Sequence, residues 1–315
     1  MDVISENLES KKNLYTLEIN NVDDVSLLNC LRRIISMEIP YAAFNNIQII
    51  ENTSLLHNEF IQHRVELIPI NINYIYLENY NDTILKLKVE HDDLIKKNDR
   101  VSVLSKNFTV DGKKTELIKP YSNNYHFPLT KLCFGQKLDL NAKIKIGTGK
   151  EHSKFMTTSQ VFYTYDAEDC TKKTVYKFKI EGCDHNYGPI PLDKLFQLGI
   201  IVLLYKVYIL KCQIIGKKCI YINLNIKNKY LLAASKIIFK YIRGINKNFL
   251  EENNISDLIL FNHKNNIYEI ELYDEDYGIG NLITGYLYKI TDVAFVCCDK
   301  AHPSENKILL LMKLK

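Results

Sequence analysis

The sequence predicts an α+β protein. Two strand–turn–helix units, one near each end of the chain, can pack face to face as an intramolecular pseudo-dimer. A β-rich subdomain is inserted between them. Three observations lead to this. First, "NLYTLEI" (Asn13–Ile19) alternates as a strand, and "NNVDD" offers Asp23 or Asp24 as a helix N-cap. "VSLLNCLRRIISM" then places Leu27, Leu28, Leu31, Ile34 and Ile35 on one helical face, and Pro40 stops the helix. Second, "YEIELYDEDYGIGNLITGYLYKI" (Tyr268–Ile290) repeats the order: strand, acidic turn (Asp274, Glu275, Asp276), helix. Ile279, Leu282, Ile283, Tyr286, Leu287 and Ile290 recur at helical spacing there, and Asn29 and Asn281 hold equivalent places. Two such apolar faces can bury each other. Third, residues 71–171 are polar and turn-rich, with β-like runs at Thr83–Val89, Leu138–Ile146 and Ser159–Tyr165.

The remaining elements follow the same logic. "TVYKFKI" (Thr174–Ile180) reads as a strand returning to the first unit. Pro191 suits the first turn of a long helix to Cys212, which is apolar nearly all round and so is expected to be buried on most sides. "CIYINLNI" (Cys219–Ile226) reads as a strand and "YLLAASKIIFKYI" (Tyr230–Ile242) as a helix. The expected boundaries are 1–70 with 172–218 for a discontinuous first unit and 71–171 for the insertion. An extra strand–helix segment spans 219–255, and the second unit spans 256–315.

Composition narrows the function classes. The 315 residues are 46% hydrophobic and 25% charged, as in a soluble globular chain large enough for a sizeable core. A net charge of +4 does not predict a nucleic-acid-binding face. The eight cysteines form no C-x-x-C pair and match no zinc spacing, so they read as reduced, intracellular and mostly buried. No secretory signal is expected, because Met1–Lys12 is polar, and "LGIIVLLY" (Leu198–Tyr205) is too short to span a bilayer. Abundant Ile, Asn, Lys and Tyr with no Trp suggest an AT-rich genome.

"LLHNEFIQHRVELIPI" (Leu55–Ile70) carries His57, Glu59 and His63 and invites a metal reading. On a helix, Glu59 and His63 share a face, but His57 and His63 lie roughly 240° apart and cannot meet on one ion. The zinc-protease spacing is absent. "GTGKEHSK" (Gly147–Lys154) lacks the earlier Gly and the following Ser or Thr of a phosphate loop. The acidic turn Asp274–Asp276 lacks calcium-loop spacing and reads as a solvated turn. No acid, base and anion-stabilising group come together, which argues against a free-standing enzyme.

"NCLRRIISMEIP" (Asn29–Pro40) followed by Glu51–Ile70 resembles the amino-terminal signature of the alpha-like subunits of multisubunit RNA polymerases: bacterial alpha, archaeal D and the eukaryotic third-largest subunit. The matching positions are Asn29, Leu31, Arg32, Arg33, Glu38, Pro40, Asn52, Ser54, Glu59, His63, Arg64, Ile68 and Pro69. Phe127–Phe155 is similar to that family's inserted subdomain, and "VYKFKIEGCDHNYGPIPLDKLF" to the strand leading into its long helix. "DEDYGIGNLITGYL" and "AHPSENKILLLMKL" resemble the small partner subunit, archaeal L or the eukaryotic eleventh, through Gly280, Asn281, Leu282, His302, Pro303 and Lys307. Both halves of an alpha-like heterodimer thus occur in one chain, similar to fusions in large cytoplasmic DNA viruses.

The resemblance implies a subunit of DNA-directed RNA polymerase with no catalytic residues, no metal and no cofactor of its own, and the matched residues above as subunit-interface positions. It implies an assembly platform for transcription that holds two large catalytic subunits and small subunits, including a tenth-subunit-like zinc protein. DNA is met only through the complex, and no membrane is involved. It would act in the host cytoplasm, at the virus factory and in the virion, if viral, and in the nucleus if cellular. The sequence departs from the family twice. The insertion offers only Cys133 and Cys170 where many relatives carry a cysteine cluster. The small partner's long final helix is missing, and the helix within Cys219–Glu252 is expected to replace it. The alternative is a stand-alone nucleic-acid-binding transcription regulator.

Overall fold

A computed structural model describes residues 1–9, 13–72, 74–92, 99–110, 112–114, 117–118, 126–165, 174–182, 190–215, 229–245, 259–262, 267–273, 275–300, 302, 304–305 and 307–315. In chain order the amino-terminal elements are β1 (Asp2–Glu9), β2 (Leu14–Asn20), α1 (Val25–Met37), β3 (Tyr41–Asn52) and α2 (Asn58–Glu66). A 3-10 helix over Tyr74–Tyr80 leads to β4 (Ile84–Glu90), β5 (Val101–Leu104), β6 (Phe108–Val110), β7 (Lys113–Lys114), β8 (Pro128–Leu132) and β9 (Lys137–Gly147). Then come β10 (Thr158–Tyr165), β11 (Tyr176–Gly182), α3 (Leu192–Ile215) and α4 (Lys229–Ile245). The last elements are β12 (Ile259–Asn262), β13 (Ile267–Tyr273), α5 (Tyr277–Leu287), β14 (Val293–Asp299) and β15 (Lys307–Leu314).

Among the described residues, three antiparallel sheets run in the orders β1-β2-β11-β10, β3-β9-β4-β6-β7 and β12-β13-β15-β14, with a β5-β8 ribbon beside the second. In β2, Tyr15, Leu17 and Ile19 are buried and alternate with half-exposed residues, the period-2 signature of a sheet with one covered face. That face lies under α1 and α3, where Phe178 of β11 meets Phe196 of α3 edge-on at 5.4 Å between ring centres. Leu192–Cys212 is long and apolar enough to cross a bilayer, but 67% of it is buried inside the fold, as in a core helix.

The expected boundaries of the insertion need correcting at both ends. β3 was assigned to the first unit, yet it runs along β9 from Tyr41 opposite Gly147 to Asn52 opposite Leu138, so it is the edge strand of the inserted sheet. Ser159–Tyr165 was assigned to the insertion, yet β10 pairs with β11, with Tyr163 opposite Phe178, and so belongs to the first unit's sheet. Alternation of side chains marks a strand but carries no information about its hydrogen-bonding partner. The expected strand Cys219–Ile226 lies outside the described residues.

α4 was expected to stand in for a missing final helix of the second unit. It packs instead on α3, with Tyr205 and Phe239 5.0 Å apart at their ring centres, and on the 3-10 helix, where Lys240 pairs with Glu78 at 2.9 Å. Among the described residues it makes no comparable contact with α5 or its sheet. Its packed face covers α3 of the first unit and the start of the insertion.

Candidate subunit-pairing interface

The two strand–turn–helix units meet through α1 and α5. Each helix opens on an aspartate that caps it. Asp24 accepts from Ser26 N and Asp276 from Gly278 N, both at 2.8 Å, satisfying one orphan N–H each. Each cap then reaches the later part of the other helix. Asp276 Oδ2 accepts from Arg33 Nη2 at 2.6 Å. Lys289, just past α5, lies 3.7 Å from Asp24 Oδ2 and donates to the Asp23 carbonyl at 3.0 Å. The helices are therefore antiparallel, related by an approximate two-fold axis, and each positive helix end receives an anion that also carries the inter-unit contact. Gly285 permits the close crossing, because a Cβ there would stand 2.6 Å from Asp24 Oδ2.

Beside this symmetric pair lies an unsymmetric one. Lys206, midway along α3 in an otherwise apolar run, is buried against two carboxyl groups. One is Glu38, the residue after α1, whose N–H closes the helix onto Ile34 O. The other is Glu275, from the acidic turn of the second unit, 2.6 Å from Lys206 Nζ. Burial opposes the lysine's charge, but the two carboxyls outweigh it and hold the ammonium above the ordinary lysine range. Glu275 must share that ammonium. Burial, with Glu38 nearby, outweighs the lysine and pushes Glu275 up to about 7. At Asp276 the balance reverses. Burial raises it, but the Arg33 guanidinium and the Gly278 N–H hold it below the usual aspartate range. Cys30 of α1 is buried among these charges, and burial pushes its thiol up to about 12.

The residues matched to the family signature divide into distinct roles. Arg33 and Glu38 sit in this interface. Leu31 and Leu282 are buried in the helical core, and Pro40 and Ile68 are buried nearby, with Pro69 half-buried. Asn29 faces its own helix, its Oδ1 accepting from Arg32 at 3.0 and 3.2 Å, and Asn281 is exposed on α5. Asn52 organises the β3–α2 turn, donating to Leu56 O and Asn58 Oδ1 at 2.8 Å and accepting from Ser54 N and Oγ. Arg64 donates to Leu129 O of β8 at 2.7 Å, so it ties α2 to the inserted subdomain. Glu59 and His63 are exposed on α2, and His57 stands at its N-cap position without a side-chain capping bond.

Three expectations change here. Gly280 was expected at a subunit interface, but a Cβ there would meet Cys298 Sγ at 2.2 Å and Ile308 Cδ1 at 2.7 Å, so it faces its own sheet. Lys307 pairs with Glu271 of the neighbouring strand at 2.9 Å, and His302 bonds Ser304 at 2.6 Å, both within the second unit; Pro303 lies outside the described residues. The acidic turn was expected to be solvated, yet Glu275 is only 6% exposed. Sequence reading missed Lys206 altogether, though a lone cation inside "LGIIVLLYKVYIL" is the signal that could have found it.

Residues 268–315, the second unit from β13 onward, match the RNA polymerase Rpb3/Rpb11 dimerisation domain. Over about half its length the chain is similar to archaeal RNA polymerase subunits named Rpo3. It is 33% identical over 149 residues to the DNA-directed RNA polymerase subunit Rpo3 of Thermococcus kodakarensis, covering 45% of this chain and 52% of that one. The Pyrococcus furiosus Rpo3 is 32% identical over 166 residues, 50% and 57% of the two chains. A conjugation stage-specific protein of Tetrahymena thermophila is 30% identical over 197 residues, 56% and 63%. The chain spans about half the length of the Rpo3 relatives it matches. An alpha-like dimerisation fold accounts for the antiparallel sheets and for two helices crossing between like units.

Proposed function

We propose that the chain is a non-catalytic assembly-platform subunit of DNA-directed RNA polymerase, with both members of an alpha-like pair fused in one polypeptide. The observation that carries this is the reciprocal α1–α5 contact between two strand–turn–helix units, the second of which matches the Rpb3/Rpb11 dimerisation domain. Fusion makes pairing intramolecular, so the partner's local concentration is set by the tether, on the order of millimolar for a short flexible one.

The face offered to a large catalytic subunit is the β3–α2 region. Leu55 is 90% exposed and Phe60 61% exposed, with Ile50 and Leu67 also exposed. Exposed large apolar side chains grouped in one stretch of chain are the kind that interaction sites use. The Asn52 hydrogen bonds fix the turn carrying Leu55, so little ordering entropy remains to be lost on docking. A second large subunit and a small zinc-bearing subunit complete the proposed set of partners.

Affinity purification of the tagged chain from its native source, with mass spectrometry of co-purifying proteins, tests this. Two very large subunits at near-equal stoichiometry are the expected result. Recovery of the chain alone, or with nucleic acid only, overturns it.

A further inference from the structure

We propose that Lys206 is the specificity-determining residue of unit pairing, admitting the second unit through Glu275 and disfavouring pairings between like units. This rests on the pairing geometry alone and holds whatever complex the chain joins.

Consider the alternatives that the two-fold relation allows. If two second units paired with each other, Lys289 of one would face Asp276 of the other, as it now faces Asp24. Glu275 would then be buried with no ammonium beside it, because Lys206 belongs to α3 of the first unit. Removing the partner of a buried charge is among the costliest single losses in a protein interior. If two first units paired, Arg33 would face Asp24, and Asp23 would stand where Glu275 stands. Its side chain is one carbon shorter, so its carboxyl stops about 1.5 Å short of the ammonium. Only the unlike pairing supplies both the right reach and the right charge, a device that discriminates by penalising the wrong partners.

The other charged and titratable groups around the triad do not remove this dependence. From α1 come Cys30 and Arg33, and Arg33 is committed to Asp276. Lys150, whose N–H donates to Met37 O at 2.9 Å, adds a weaker favourable field at Glu275 and Asp276. The triad itself holds two carboxyl groups for one ammonium.

The test uses the full chain and reads the labelling rate of the Cys30 thiol by peptide mass spectrometry, normalised to the unfolded chain. Cys30 is fully buried beside the triad, so its labelling reports opening of the structure around that contact. Lys206→Glu places three carboxyl groups together and is expected to speed labelling by about a hundredfold or more, the loss expected for a broken buried pair. The double variant Lys206→Glu/Glu275→Lys restores one ammonium between two carboxyls and is expected to return within about tenfold of the native rate. A role in packing alone would not be rescued by exchanging charges. A native rate in Lys206→Glu overturns the proposal. So does a charge-exchanged chain as fast as the single variant.

Discussion

Replacing Gly280 by Ala sets two effects of known size against each other. Alanine in a helix interior is favoured over glycine by about 1 kcal/mol. Against this, the new methyl would stand 2.2 Å from Cys298 Sγ and 2.7 Å from Ile308 Cδ1, where about 3.5–4 Å is comfortable. α5 cannot back away, because its opposite face is held on α1 by the Arg33–Asp276 pair. Overpacking of this kind costs about 1–3 kcal/mol, and two simultaneous clashes put this site at the upper end. The net expectation is a loss of about 2 kcal/mol, read from urea unfolding of the full chain. Cys298→Ala removes the nearer obstacle. The double variant should therefore lie within about 1 kcal/mol of Cys298→Ala alone, a coupling that a double-mutant cycle measures directly. If Gly280→Ala unfolds like the native chain, or if the two costs simply add, close approach is not why glycine stands here.

Asn52→Ala removes hydrogen bonds that hold the β3–α2 turn and should raise amide exchange at residues 53–58 by about tenfold or more, with the sheets unaffected. Arg64→Ala should cost about 1 kcal/mol or slightly more, seen as faster exchange along α2, because it frees α2 from β8 at Leu129. Interface stability should have a mildly acid optimum. Asp276 is held below its usual range, so its contribution is present above pH 4 and is lost as pH falls further. Glu275 is raised to about 7, so its contribution is full below about pH 4.5 and is lost as pH rises through 7. Unfolding midpoints from pH 3 to 9 check both limbs, and a profile rising steadily to pH 8 would contradict the second.

Much of this architecture can be read in the residues. α1 spans Val25–Met37 because Asp24 caps it and its apolar stripe is unbroken, and both signals are local. The second copy, Asp276 and α5, is legible for the same reason. The membership of strands is not. "YAAFNNIQII" could join any sheet until its neighbours are known, and β10 looked like part of the insertion because it lies next to it in sequence. β1 has no alternating buried face, because every residue from Asp2 to Leu8 is exposed, so nothing in its pattern marks a strand. Among the interface residues, Arg33 and Glu38 came from a motif, which says that positions matter without saying what they touch. Lys206 and Glu275 form a contact between distant segments, and neither segment contains its partner's signal.

The Arg33–Asp276 contact joins residues 243 positions apart, which has a consequence during translation. At roughly 5–20 residues per second, the face of α1 that will receive α5 leaves the ribosome some ten to fifty seconds before α5 exists. Through that interval a nascent chain carries an unmatched apolar helix face, and neighbouring nascent chains on the same message carry the same one. Whatever keeps those faces apart must act before the second unit is made, so the hazard this architecture manages is as much one of timing as of affinity.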